Sequence, residues 1–169
     1  MTGDELAAWL ASVFPGMGLS LVHGTPVAIA ELDGASVAVT LGFSTLDTGL
    51  RLDADPDVRV GCELVARGRV GGEEVAETVI AAANELAAVG VPARPGVLLE
   101  FGGRRGLLRE PELFAQGTPL YREPGQLTLL LELVLLTADE YEIASSRGVD
   151  VLATRLRRRG VDVADWARE

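Results

Sequence analysis

The chain has 169 residues, 48% hydrophobic and 24% charged, which suits one soluble globular domain with a real core. Its formal net charge of −10 disfavours nucleic acid and anionic membranes and favours basic partners. A single cysteine and a single histidine exclude an internal disulfide and any clustered soft-ligand metal site.

The start, Met-Thr-Gly-Asp-Glu, is acidic where a secretory leader is basic, and no apolar window reaches bilayer-spanning length. The expected location is the cytoplasm, with the thiol reduced. All 15 basic residues are arginine, a pattern of GC-rich bacterial coding that weakens the meaning of any single arginine.

In chain order, Thr2 and Glu5 form a potential capping box, and Leu6, Trp9, Leu10 and Val13 recur at helical spacing. A helix over 3–14 is predicted, ended by Pro15-Gly16. Short strands are predicted at 19–22 and 27–31. The Asp33-Gly34 turn then leads into a strand over 35–41, closing a hairpin. Residues 42–49 leave it as a loop, and 53–57 are polar and turn-prone. Along 58–67, Val58, Val60, Cys62, Leu64 and Ala66 share one face and Arg59, Glu63 and Arg67 the other, so an antiparallel strand with one wet face is expected. The longest helix is predicted over 73–89, with Val75, Val79, Ala83 and Leu86 inward and Gly90 closing it. A strand at 96–101 precedes a Gly-, Pro- and Arg-rich segment, 102–124, which reads as a long surface excursion.

The pivotal stretch is Gln126 to Gly148. Its first part is an apolar run of strand length, interrupted only by Thr128 and Glu132, as expected of a central strand buried on both faces. Thr137 and Glu140 form a second capping box, so the strand should pass directly into a helix at Ala138. A last helix follows over 149–159. The order of elements is not a regular strand–helix alternation. It predicts an α+β fold: one domain spanning 1–169, a mostly antiparallel mixed sheet with helices on one side.

Catalytic sets are missing. His23 sits beside Gly24 and reads as a capped or solvent-facing side chain. Cys62 lies on an apolar face as a small hydrophobe, not a nucleophile. A nucleophilic serine would have only His23 as its base, and no Gly-x-Ser-x-Gly elbow occurs. Gly102 to Gly106 follows a strand but opens no helix, so it reads as a turn with two solvated arginines, not a phosphate cradle. Arg155, Arg157, Arg158 and Arg159 are expected to complement a helix dipole and to pair with Asp162 and Asp165. Glu63, between Arg59 and Arg67, is expected to point outward into an ion pair. No catalytic residue, metal or cofactor is predicted.

Several segments, in order, resemble the Suppressor of fused (SUFU) domain family. Thr40-Leu-Gly-Phe-Ser44 resembles its strand-end motif, and Gly61-Cys-Glu-Leu64 with Arg67 resembles its Gly-x-Glu-Leu strand. The helix from Glu73 matches the family's main helix in place and character. Leu107-Leu-Arg-Glu-Pro111, Leu131 to Glu140, Gly148 to Leu152 and Asp165-x-x-Arg168 resemble the later segments. The resemblance implies a binding protein without catalysis. Bacterial members look like immunity proteins that neutralise toxin domains, and the animal members use the loop after the Gly-x-Ser motif near a bound peptide. Carried to this chain, the partner-binding residues are Ser44, Thr45, Leu46, Asp47, Thr48 and Gly49, and the −10 charge would suit a basic toxin. A strand edge there could also accept an added peptide strand.

The rival expectation is a small-molecule-binding domain or carboxylate-dependent enzyme, with Glu63, Asp47 or Glu100 sharing a cleft with Arg104 and Arg105. A third is a structural subunit that dimerises through an exposed strand.

Overall fold

The computed structural model describes all residues from Met1 to Glu169. Helix α1 (Gly3–Val13) starts on the Thr2–Glu5 capping box, with both reciprocal bonds made. Strands β1 (Gly18–Val22), β2 (Thr25–Leu32) and β3 (Ala35–Thr40) form a meander. Its two-residue turns, His23-Gly24 and Asp33-Gly34, have both residues at positive φ, the geometry that suits tight hairpins. A short 3-10 turn (Phe43–Thr45) and β4 (Arg51–Leu52) lead to β5 (Asp55–Gly68). Helix α2 (Gly72–Val89) precedes β6 (Leu98–Phe101), β7 (Arg104–Arg109) and β8 (Leu120–Glu123). Strand β9 (Gln126–Leu136) runs through Thr137 into α3 (Ala138–Arg147), and α4 (Val149–Arg159) follows.

All nine strands join one sheet in the order β1-β2-β3-β5-β9-β7-β6, with β4 beside β5 and β8 beside β9. Only β5 and β9 pair in parallel; every other pairing is antiparallel. The α+β class with a mostly antiparallel mixed sheet is therefore observed, and β9 is central and covered on both faces.

Three expectations need correction. Helices cover both faces of the sheet, not one. Successive side chains on a strand point oppositely. On β9, Leu131 and Leu133 join the α2 core, whereas Leu130 packs with α1, and Val134 and Leu136 pack with α3 and α4. For the same reason β5 has no wet face around its middle: Leu64 packs toward α2, Val65 toward α1, and both are fully buried. Each such leucine contributes about 2 kcal/mol by leaving water. Finally, 102–124 is not all surface excursion. Gly102-Gly103, both at positive φ, form a tight turn, and β7 then enters the sheet between β6 and β9 with Leu107 and Leu108 buried. Gly106 makes that possible, because a Cβ there would lie 2.8 Å from Leu133 Cδ1.

Candidate functional site

Two segments far apart in the chain, Thr40–Ser44 and Gly61–Leu64, close on one carboxylate. Glu63 is fully buried and makes no ion pair, contrary to the outward-facing role expected of it. Its oxygens instead accept from the amides of Gly42 (3.1 and 3.2 Å), Phe43 (3.1 Å) and Ser44 (3.0 Å). The hydroxyls of Thr40 and Ser44 each donate at 2.6 Å. Thr40 Oγ1 in turn accepts from the Leu64 amide at 2.9 Å, tying the loop back to the strand. The chain reverses at Gly42, where φ is 112°, a region that favours glycine. Burial pushes the Glu63 carboxyl above the ordinary carboxylate range, and the hydrogen bonds from Ser44 and Thr40 oppose that rise.

The same corner is braced from the other side. Gly61 lies against the loop so closely that a Cβ would sit 2.8 Å from the Ser44 carbonyl oxygen. Gln126 Nε2 donates to that oxygen at 3.2 Å and to Thr128 Oγ1 at 3.1 Å, while Arg59 donates to Gln126 Oε1.

Of the six residues carried over as partner-binding, Ser44 is buried and serves as the anchor. Thr45, Leu46, Asp47 and Gly49 are exposed, and Thr48 is half-buried. Asp47 Oδ1 accepts from the Gly49 amide at 2.9 Å and pairs with Arg51 at 3.1 Å; Arg51 holds its carboxyl below the usual range. Ser44 and Thr45 border a cleft of about 340 Å³ with Leu19, Pro26, Leu41, Arg59 and the first turn of α1. Leu19 and Leu21, 62% and 72% exposed, stand on β1, an edge strand. Beyond the loop, the β4–β5 hairpin carries Asp53, Asp55 and Asp57, all exposed and none in an ion pair.

The residues of the rival site are not brought together around Glu63. Arg104 and Arg105 border a separate cleft of about 330 Å³ with Glu74, Thr137, Trp166 and Arg168, and Glu63 is not among its walls. Arg104 pairs with Glu74 at 3.2 Å and Arg105 with Glu100 at 3.3 Å. Neither arginine is free: Arg104 also lies over Trp166 and Arg105 over Tyr141. Cys62 is buried, and burial pushes its thiol up to about 12, which removes thiolate chemistry. His23 is an exposed turn residue 3.2 Å from Glu77.

A second corner joins two more of the quoted segments, Leu131 to Glu140 and Asp165-x-x-Arg168. Glu140 caps α3 through the Thr137 amide (2.9 Å) and pairs with Arg168 (2.9 and 3.2 Å). Arg168 also donates to the carbonyls of Leu135 (2.5 Å), Asp165 (2.8 Å) and Val163 (3.2 Å). The C-terminal tail is thereby fastened to the strand–helix junction. Sequence reading placed both capping residues but not the arginine that completes the corner.

Solved structures share this α+β fold with its one mixed sheet. The fold is SUFU-like. The chain matches a structure described as a SUFU (suppressor of fused protein) homolog from Neisseria gonorrhoeae FA 1090, with a TM-score of 0.74, 15% identity, and coverage of 99% of this chain and 94% of that one. It also matches the Sufu–Fu complex, with a TM-score of 0.65, 14% identity, and coverage of 95% and 84%. No protein-family model matches the chain, and no curated protein does. No helix is long and apolar enough to cross a membrane.

Proposed function

We propose that this chain is a non-enzymatic protein-binding domain, one SUFU-like unit over residues 1–169, that acts in the cytoplasm as an immunity protein against a basic toxin. The observation that carries the reading is the exposed 45–49 loop. It is hung from a fully buried glutamate and set between an open cleft and an unpaired acidic hairpin tip. A loop already held in one conformation loses little entropy on binding, so more of its contact energy appears as affinity. Asp53, Asp55 and Asp57 would draw in a basic surface and speed its association. The free edge of β1, with Leu19 and Leu21, offers backbone groups and apolar contacts for an extended segment of the partner. The match to a protein solved as the Sufu–Fu complex supports a protein partner.

The test is capture from extract of the native host, at low and high salt, by the wild-type chain and by the Asp53→Asn, Asp55→Asn, Asp57→Asn triple variant. The reading expects a basic protein held by wild type, lost at high salt and weakened in the triple variant. Expression of that protein alone should arrest growth, and co-expression of this chain should relieve the arrest. A captured protein that is harmless when expressed alone would sink the immunity role. Equal capture by wild type and the triple variant would sink the acidic face.

A further inference from the structure

We propose that the groove between α3 and α4 is a docking site for an acidic peptide segment of a protein partner. This is a second surface, opposite in charge to the acidic hairpin. Its walls are Ile143 and Arg147 of α3 and Asp150, Val151, Thr154, Arg155, Arg158 and Arg159 of α4, around a cavity of about 460 Å³.

The first argument is the state of the arginines. Arg155, Arg158 and Arg159 were expected to pair with Asp162 and Asp165, and they do not. Asp162 is taken by Arg69 at 2.7 Å, and Asp165 accepts from the Ala167 amide at 3.0 Å. Arg147 and Asp150 form no ion pair either. Four guanidinium groups thus share one groove with a single carboxylate, in a chain of net charge −10. Helix-dipole complementarity accounts for Arg158 and Arg159 in the last turn of α4, but not for Arg155 one turn earlier. Like charges three and four positions apart, such as Arg155 with Arg158 and Arg159, also cost helix stability, a cost that a bound anion would remove.

The second argument is shape. Val151, Thr154, Arg155 and Arg158 recur three and four residues apart, so they form a stripe along α4. The helix has 11 residues and is therefore about 16 Å long. That matches about five residues of extended chain at roughly 3.3 Å each, far more than one phosphate would use. Ile143 and the 40%-exposed Val151 supply apolar contact between the charges, as a peptide side chain would require. No aromatic side chain lines the groove to stack on a base, and the acidic remainder of the chain would repel a long polyanion.

The experiment is fluorescence anisotropy at low salt, with a short labelled peptide of aspartate and glutamate around one leucine. A single-stranded oligonucleotide and inorganic phosphate serve as competitors. The peptide should bind the wild-type chain, and Arg155→Glu with Arg158→Glu should weaken it by about tenfold or more. Because these side chains are exposed, circular dichroism should show an intact fold. Arg155→Lys with Arg158→Lys, which keeps the charge, should retain most of the binding. Unchanged peptide affinity in the Glu variant would overturn the proposal. So would an oligonucleotide or phosphate that displaces the peptide at lower concentration than the unlabelled peptide itself. The acidic-hairpin triple variant should leave peptide binding intact, and the Glu variant should leave capture of the basic partner intact, so the two readings fail separately.

Discussion

Glu63 accepts from three backbone amides beyond the end of β3 and Glu140 from one at the end of β9, yet only Glu140 has a cation. Glu140 and Arg168 tie the tail to a junction that is already capped, and the binding is shared among several carbonyls. Glu63 is surrounded by donors from Thr40 and 42–44 alone, so its carboxylate is the only common acceptor for that turn. The difference teaches that the two corners do different work. The Arg168 corner adds stability in separable pieces. The Glu63 corner sets a loop conformation that stands or falls as one unit.

Breaking the comparison at its stronger end should have the largest effect. Glu63→Ala leaves three amides and two hydroxyls without their acceptor, and should cost on the order of 4 kcal/mol in chemical denaturation. Glu63 also gives a pH signature. Its folded carboxyl is raised by burial, so the folded state holds a proton to higher pH than the unfolded chain does. Its contribution is fully present below the ordinary glutamate range and is lost as pH rises through the folded value. Relative to Glu63→Gln, wild type should therefore lose melting temperature as pH rises above the ordinary glutamate range; a flat difference would contradict the raised carboxyl.

Arg168→Ala comes next. Both partners are nearly buried, at 11% and 13% side-chain exposure, and about 2 kcal/mol should be lost. Proteolysis should then reach the tail beyond α4, while the 42–49 loop stays protected. Gly61→Ala is smaller, about 1–2 kcal/mol, because the new methyl group meets the Ser44 carbonyl and must displace the loop. It should lower partner affinity more than its stability change implies. Asp47→Asn is smallest: its pair with Arg51 is exposed, so the melting temperature should not measurably change, whereas any role in the partner interface would show in affinity.

Much of this was legible where signals are local. Both capping boxes, the bounds of α2 to within a residue and the span of α4 follow from spacing alone. Strand β9 was legible because an apolar run of that length has no other stable place. Strand β7 was not: arginines at both ends and an internal glycine disguise it, and its identity comes from pairing with β6 and β9. The Gly102-Gly103 pair, directly after a strand, was the available sign of a hairpin. Glu63 was misread because it falls in phase with Arg59 and Arg67, both only partly buried, and nothing local shows that residues 42–44 fold over it. The hydroxyls and glycine of Thr40-x-Gly-x-Ser44 were the clue, since they supply the donors and the turn that a buried carboxylate needs. The arginines of α4 were misassigned because sequence proximity to Asp162 says nothing of Arg69, a distant residue that reaches it first.

The most direct measurement is native-state hydrogen exchange at the amides of Gly42, Phe43 and Ser44, in wild type and in Glu63→Ala, which removes the acceptor outright. Wild type should protect all three, and the variant should release them together while the Thr137 and Tyr141 amides at the other corner keep their protection. Equal protection of the loop amides in both proteins would contradict the claim that Glu63 holds the loop.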